Sequence, residues 1–366
     1  MATVQASTSQ VSKAVQRDGV HEPRYTEYWR RLIARCCAGD GLVVDVGANL
    51  GWFSLLSASM GCRVLAFEPV PALGALLAAS AEKNNLSSRI TLHRAVVSAD
   101  TSPVAMHFRA SDIDTSSIGG ANTPSTLMND TVVLRVPAQT LDEHLHEPPC
   151  ALKVDVEGHE PAVLRGGAAA LKRHPPRVVM LEYSPGVLER EAAAGHPKAL
   201  DGAPSYPAML QTLLDAGYRI YKLQERLKHL PVQASRRRLP ALWEVDATTI
   251  AAEATNANAM RQAYARDGFA LPSDLQPGSL RARFAYNTDL LALQQSATNE
   301  AGLLRARGKI RGGAAGTALP QARDTSVPPR GYQKRSKTWR QMTYCWWVRE
   351  GCFFRQGHGL RRLGSS

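Results

Sequence analysis

Short apolar runs alternate with helical patterns through the first half of this 366-residue chain. The run GLVVDVG at residues 41–47 precedes the helical pattern LGWFSLLSASMG, and RVLAFEP at 63–69 precedes PALGALLAASAEKNN. Strands separated by helices of this kind are joined by crossovers and lie parallel. With the later runs RITLHRAVVS, CALKVDVEG and RVVMLEY, the pattern predicts an α/β fold with a doubly wound, mostly parallel sheet of seven strands.

The net charge of +12 belongs to the C-terminal tail. From Arg305 onward the chain holds fourteen of its 44 basic residues but two of its 32 acidic residues, so the remainder carries thirty of each. A basic tail can bind nucleic acid or an anionic membrane surface, and it is also typical of a solvated, disordered extension. The neutral body excludes nucleic-acid binding over the whole surface and leaves the tail as the one place for it.

Three segments follow from these patterns. Residues 1–24 are polar and are predicted to be disordered, residues 25–296 form the α/β domain, and residues 297–366 form a disordered, basic, low-complexity tail. A long polar stretch at residues 111–130 is expected to be a lid or substrate loop. No apolar run approaches the ~18–20 residues that a membrane span needs.

The cysteines and the N-terminus bear on the compartment. Cys62 and Cys150 lie in or beside apolar runs, as reduced core cysteines do, which favours a reducing, cytoplasmic environment and leaves a secretory one as an alternative. The N-terminus has no apolar core of a signal peptide, and its Ser and Thr content with no acid before Asp18 leaves organellar targeting as an alternative.

The turn after the first strand, DVGANLG, predicts a nucleotide site of a particular kind. A dinucleotide fingerprint places glycines at positions i, i+2 and i+5 so that a pyrophosphate meets the helix N-terminus. In this turn Asn49 replaces the second glycine and Gly51 comes one position early. Asp45, just before the turn, disfavours phosphates and suits a cation such as an ammonium group.

Glu68 ends the next strand, 17 residues after Gly51. A carboxylate at this place can accept hydrogen bonds from both hydroxyls of a ribose. The ligand that fits both segments has a ribose, no pyrophosphate and a positively charged amino-acid end. S-adenosylmethionine meets that description and is the predicted cofactor.

Five segments together resemble the FkbM family of methyltransferases: VDVGANLGWFSLL, VLAFEP, TLDEHL, LKVDVEGHEPAVLRG and VVMLEY, with GYRIYKL and NTDLLAL near the end. The resemblance covers residues 40–293 and implies a Rossmann-like, class I, S-adenosylmethionine-dependent enzyme. It implies cofactor binding by seven residues: Asp45, Gly47, Asn49, Gly51, Glu68, Ala95 and Val96.

The segment KVDVEGHE places Asp155, Glu157 and His159 at the carboxyl end of a strand, where open α/β sheets bind ligands. His159 could be a general base oriented by Asp155 or Glu157. Alternatively, Asp155 contacts the methionine ammonium while Glu157 holds an acceptor hydroxyl. In a third alternative these residues bind a divalent cation, although no metal site is indicated. Glu182, at the end of the following strand, is a further candidate for contact with the substrate.

The resemblance to the FkbM family implies O-methylation of a hydroxyl on a sugar, a lipid or another small natural product, and this is the predicted function. N-methylation and carboxyl methylation stay open because the motifs do not define the acceptor. A different class of function is a nucleic-acid-associated protein that binds through its tail and uses the domain as a scaffold. The predicted partner is a small-molecule or glycan acceptor.

Overall fold

The computed structural model describes residues 9–109, 112–118, 131–185, 205–223, 243–256, 280, 288–294, 346–348, 351–356 and 359–362. The helices are α1 Gln10–Asp18, α2 Pro23–Cys37, α3 Trp52–Ser59, α4 Pro71–Lys83, α5 Glu160–Gly166, α6 Ala168–Arg173 and α7 Tyr206–Asp215. Residues 247–256 are also helical, and 3₁₀ turns cover Ser87–Arg89 and Leu141–Glu143.

The strands fall into one large sheet and three small ones. The large sheet contains β1 Leu42–Val46, β2 Arg63–Phe67, β3 Ile90–His93, β9 Ala151–Val154, β10 Val178–Tyr183, β11 Tyr218–Lys222, β12 Trp243–Val245 and β13 Thr288–Gln294. The small sheets contain β4 Val96–Val97 with β8 Ala138–Gln139; β5 Val104–Arg109, β6 Asp112–Ile118 and β7 Thr131–Val136; and β14 Trp346–Val348, β15 Gly351–Gln356 and β16 Gly359–Arg362.

The strand order of the large sheet is β12-β11-β13-β10-β9-β1-β2-β3. The five strands from β10 to β3 are parallel, whereas β13 runs antiparallel to both β10 and β11, and β12 runs antiparallel to β11. The doubly wound α/β fold is confirmed. The count of seven is wrong by one, because β12 lies in residues 225–280, where the sequence shows no clear strand period.

Helices cover both faces of the sheet, as the continuously apolar strands require. Val44 and Val46 of β1 pack in one buried cluster with Val163 of α5 and Leu210 of α7. The alternate residue, Val43, packs on the other face with α2 and α3. The carboxyl ends of β1, β2, β9 and β10 therefore meet at one edge, between two helical layers.

The N-terminal prediction is wrong from Ser9 onward, and residues 1–8 lie outside the described part. Ser9 caps α1 by accepting a hydrogen bond from Ser12 N at 3.0 Å, and Gly19 ends the helix in a left-handed conformation. Val11 and Val15 are buried. A helix this short is marginal alone, and its stability comes from packing against the domain, which sequence composition does not reveal.

The cysteine prediction is also wrong. Cys62 is disulfide-bonded to Cys37, and Cys150 is disulfide-bonded to Cys36. The adjacent cysteines lie at the end of α2, while their partners precede β2 and β9, so only the packing of α2 on the sheet brings them together. The argument from reduced cysteines to a reducing compartment therefore no longer holds.

Two further expectations concern polar segments. Residues 112–118 of the expected loop form strand β6, paired with β5, and residues 119–130 lie outside the described part.

Most of the C-terminal tail also lies outside the described part, but β14, β15 and β16 form a three-stranded antiparallel sheet, so disorder is not correct for those residues. Within the described ranges, no helix is long and apolar enough to cross a membrane.

Candidate functional site

The turn after β1 is built by close backbone approach. Gly47 has φ 78°, and a Cβ at this position would overlap the carbonyl oxygen of Asp155. Asn49 is also left-handed, with φ 52°, and its Oδ1 accepts a hydrogen bond from Leu50 N at 2.7 Å. Glycine at position 47 thus lets the turn lie directly against the loop that follows β9, which joins two sequence motifs into one site.

Glu68 lies against this turn and is buried. Its Oε2 accepts a hydrogen bond from Asn49 N at 2.7 Å, and its Oε1 accepts one from Val70 N at 2.8 Å. Burial raises the pKa of Glu68 to about 7, although both backbone bonds act to lower it. Each carboxylate oxygen has a second lone pair, so two further donors can bind without displacing the backbone.

Asp45 lies beneath the turn. Its Oδ2 accepts a hydrogen bond from Ser54 Oγ at 2.6 Å, and Oδ1 lies 3.8 Å from Lys153 Nζ. Burial raises the pKa of Asp45, and Lys153 opposes that effect. Lys153 also donates to Asp155 Oδ2 at 3.0 Å, so one buried lysine links the end of β1 with the end of β9.

Three carboxylates crowd the ends of β9 and β10. One oxygen from each of Asp155, Glu157 and Glu182 lies within 4.8 Å of the others. Asp289 on β13 is the cross-strand partner of Glu182. Burial raises the pKa of Glu182 well above its ordinary value, and the charges of Asp155, Glu157 and other nearby acids raise it further. Such oxygen atoms could hold a cation or several donor hydroxyls.

His159 follows this group and precedes α5. Its Nε2 lies 3.0 Å from Ser98 Oγ, so its observed side-chain partner is Ser98, which the sequence did not single out. Burial, aided by Arg165, lowers the pKa of His159 to about 4. The imidazole is therefore neutral at physiological pH and has a ring nitrogen able to accept a proton.

Glu160 stabilises the loop between β9 and α5 through hydrogen bonds. Its Oε1 accepts hydrogen bonds from Val156 N at 3.0 Å and Gly158 N at 3.2 Å, and its Oε2 accepts one from the hydroxyl of Tyr206. Burial raises its pKa to about 7. These bonds hold Glu157 in a left-handed conformation, with φ 54°, next to the three-carboxylate group.

A cavity of about 320 Å³ connects these features. Most of the predicted site residues line it: Gly47, Asn49, Glu68, Ala95, Val96, Asp155, Glu157, His159 and Glu182. Asp45 and Gly51 are not among the lining residues. Asp45 faces Ser54 instead, and Gly51 caps α3.

Residues 45–220 match the family model described as methyltransferase FkbM domain. These residues are an FkbM methyltransferase domain. The match includes the turn, Glu68 and the whole β9–α5 loop, which confirms the family predicted from the five sequence segments. No curated protein sequence matches the chain.

Solved structures with similarity to the chain include other methyltransferases. The methyltransferase FkbM from Methylobacillus flagellatus KT is 20% identical with a TM-score of 0.31, over 50% of this chain and 39% of that one. An O-methyltransferase from Bacillus cereus in complex with SAH is 12% identical with a TM-score of 0.34, over 60% and 86% of the two chains. The chain thus spans less than half of the length of the FkbM structure.

The FkbM domain alone does not complete the cavity. Val11, His21 and Glu22 precede the matched residues, and Asp289 follows them, yet all four line the cavity. Sequence reasoning missed these residues. Asp289 lies at the start of β13, and this position at a strand end could have indicated it from the sequence. No local pattern marks Val11, His21 or Glu22.

Proposed function

We propose that this member of the methyltransferase family transfers the methyl group of S-adenosylmethionine to a hydroxyl of a sugar, a lipid or another small natural product. The observation that carries the proposal is the single cavity that joins Glu68 to the Asp155–Glu157–Glu182 group. We call the part around Gly47, Asn49, Glu68, Ala95 and Val96 the donor end, and the part around Asp155, Glu157, Glu182 and Asp289 the acceptor end.

The donor end suits a nucleoside with a cationic amino-acid group. Glu68 would accept the two ribose hydroxyls with the lone pairs that Asn49 N and Val70 N leave open. Ala95 and Val96, both buried and apolar, would border the adenine. Gly47 keeps the turn free of a side chain, and Asp45 beneath it adds negative charge that favours a cation above.

The acceptor end suits a neutral, hydroxyl-bearing molecule. Its carboxylates can accept hydrogen bonds from several hydroxyls and so align one oxygen with the methyl group. When bound, S-adenosylmethionine supplies an electrophilic methyl group on a sulfonium. The new carbon–oxygen bond would form as the methyl–sulfur bond breaks, with S-adenosylhomocysteine as the leaving group. The acceptor oxygen must lose its proton in this step, and neutral His159 or a carboxylate of this group would take it.

The His159 role differs in detail from the sequence hypothesis. Orientation by Asp155 or Glu157 has no supporting contact in the described hydrogen bonds, whereas Ser98 Oγ is within bonding distance of Nε2. If Ser98 donates to Nε2, the other ring nitrogen carries the proton; if it accepts, Nδ1 is the free acceptor. The base therefore stays a choice between His159 and the acceptor-end carboxylates.

The experiment that tests this function has two stages. Calorimetry with S-adenosylmethionine is expected to show binding by the intact protein, and an absence of binding would remove the proposal. Labelled methyl transfer is then screened against sugars, lipids, small alcohols, amines and carboxylic acids. Preferred labelling of an amine or a carboxylate would replace O-methylation by the corresponding alternative.

A divalent cation is an alternative way to use the same carboxylates. Asp155, Glu157 and Glu182 offer oxygen ligands of the type that magnesium prefers. Activity measured with and without a chelator decides this point: loss of activity that returns with added metal would favour the cation, and full activity with the chelator would exclude it.

The basic tail supports a separate candidate function in nucleic-acid binding. Removal of residues 305–366 tests whether the tail is an accessory. Loss of RNA or DNA binding with unchanged methyl transfer would assign the two activities to different parts of the chain. Transfer to nucleic acid by the intact protein alone would instead make the tail part of acceptor recognition.

A further inference from the structure

Three residues of the segment from Ser9 to Glu22 line the cavity, Val11, His21 and Glu22, although the segment precedes the FkbM domain. Val11 packs in a buried cluster with Leu50, Val70 and Leu73, and that cluster also contains Val96 of the donor end. At the other end of the segment, His21 and Glu22 line the cavity together with Lys153 and Asp155. One short segment therefore contacts both the apolar and the charged parts of the same site.

The turn between α1 and α2 is held firmly against the domain. The hydroxyl of Thr26 donates to His21 O at 2.6 Å and accepts a hydrogen bond from Trp52 Nε1 at 2.8 Å. The rings of His21 and Trp52 meet edge to face at 6.4 Å. Because Trp52 is the first residue of α3, the turn is tied to the helix that follows the cofactor turn.

Glu22 occupies an unfavourable backbone conformation at this position. Its φ is 41° and its ψ is 69°, in the left-handed region, and its side chain gives α2 no capping hydrogen bond. A left-handed conformation is uncommon for residues other than glycine and is found more often at functional sites. Glu22 lines the cavity together with Lys153 and Asp155, and its Oε2 lies 3.8 Å from Nε2 of His21.

We propose that Val11, His21 and Glu22 form the roof of the methyl-donor site, with Val11 over the nucleoside and Glu22 recognising the cationic amino-acid end. This inference rests on the proposed function, since it assigns part of the same site. The charge of Glu22 complements a ligand that carries an ammonium and a sulfonium, while the FkbM domain supplies the carboxylate for the ribose.

The test uses two ligands and a matched pair of variants of the full chain. S-adenosylmethionine carries the cationic end, whereas 5′-methylthioadenosine has the same nucleoside without the amino acid. Glu22→Gln removes one charge in the cavity. Asp18→Asn removes one charge from the same segment at an exposed position, where Asp18 pairs with Arg17.

We expect Glu22→Gln to weaken S-adenosylmethionine binding at least tenfold while 5′-methylthioadenosine binds as it does to the wild type. Asp18→Asn should bind both ligands like the wild type. Equal loss for both ligands, or no loss for either, would overturn the roof assignment. If the wild type binds neither ligand, the proposed function itself fails, which is a different result.

A second variant, Glu22→Gly, is a control for misfolding of the Glu22→Gln protein. Glycine adopts the left-handed conformation freely, so this variant is expected to melt at or above the temperature of the wild type. It should still lose S-adenosylmethionine affinity selectively. A well-folded Glu22→Gly protein with wild-type affinity would contradict the proposal.

Discussion

The buried carboxylates at the two ends of the cavity have opposite surroundings. At the donor end, Glu68 has a backbone N–H on each oxygen, from Asn49 and Val70. At the acceptor end, Glu182 lies among other acids, with Asp289 directly across the strand pair. The backbone donors fix the position of the Glu68 carboxylate. At the acceptor end the like charges repel one another, so the arrangement of the carboxylates depends on the ligand that binds there. The donor end is thus preorganised, and the acceptor end stores unfavourable electrostatics that a ligand can relieve.

The largest effect is expected for Glu68→Ala. Each hydrogen bond from a ligand to a buried charged group contributes about 1.5–3 kcal/mol, so loss of two ribose contacts should weaken S-adenosylmethionine binding at least ~100-fold. Calorimetry measures this, with Glu82→Ala on the exposed side of α4 as the control. Retained affinity would mean that Glu68 supports the turn and does not contact the donor.

His159→Ala tests the other end. If His159 accepts the proton, its loss should slow turnover by about 100-fold while donor affinity stays near that of the wild type. His174→Ala, away from the cavity, is the matched control. Because the pKa of His159 is about 4, its protonation should not reduce activity between pH 5 and pH 7. Unchanged turnover would leave the proton to a carboxylate.

Gly47→Ala tests whether the preorganised end depends on close backbone approach. Gly217 has a similar φ, 81° against 78°, but a Cβ there meets nothing within 4 Å. We expect Gly217→Ala to cost about 1 kcal/mol in free energy of unfolding and Gly47→Ala about 2 kcal/mol more, because the new methyl group overlaps Asp155 O. Denaturant unfolding measures both. Equal costs would show that the turn can move away from the β9 loop.

Glu182→Gln should relieve the acceptor end. The folded-state pKa of Glu182 lies above its unfolded value, so the folded protein holds its proton longer and stability falls as pH rises above about 4.5. Glutamine does not titrate, so the unliganded variant should be more stable relative to the wild type at pH 8 than at pH 5. Thermal melting at both pH values measures this, and turnover should fall about tenfold. A stability difference independent of pH would argue against charge crowding.

The smallest effect is the pH dependence of donor binding. The pKa of Glu68 is about 7 in the unliganded protein. In the proposed site its ionised form would accept both ribose hydroxyls. Affinity should therefore rise up to about tenfold from pH 6 to pH 8, because the ionised fraction grows by that factor. Titration of S-adenosylhomocysteine by calorimetry tests it. In Glu82→Ala the pH dependence should persist, and a flat profile for the wild type would contradict the prediction.

Much of the fold and of the donor end could be predicted from the sequence. The strands β1, β2, β9 and β10 are short apolar runs, and parallel strands place their carboxyl ends at one edge. That rule brought Glu68, Asp155 and Glu182 together without a structure. The FkbM family was recognised from the same segments, and the family match confirms it.

Other features were decided by tertiary packing alone. Contact between His159 and Ser98 joins residues 61 apart, and the Cys36–Cys150 disulfide joins residues 114 apart. The residues of helix α1 were predicted to be disordered because a nine-residue helix is marginal alone. The residues that stabilise it are distant in sequence and contact it only in the folded protein.

Local patterns determine which backbone a segment adopts and at which edge its last side chain lies, since turn geometry and strand period depend on a few neighbouring residues. They do not determine which distant segment covers that edge, because this depends on surface complementarity between elements far apart in the chain. The sequence by itself therefore determined the floor of the cavity, from Gly47 to Glu182. Only the tertiary structure decided that Val11, His21 and Glu22 line the same cavity and that Glu182 lies opposite Asp289.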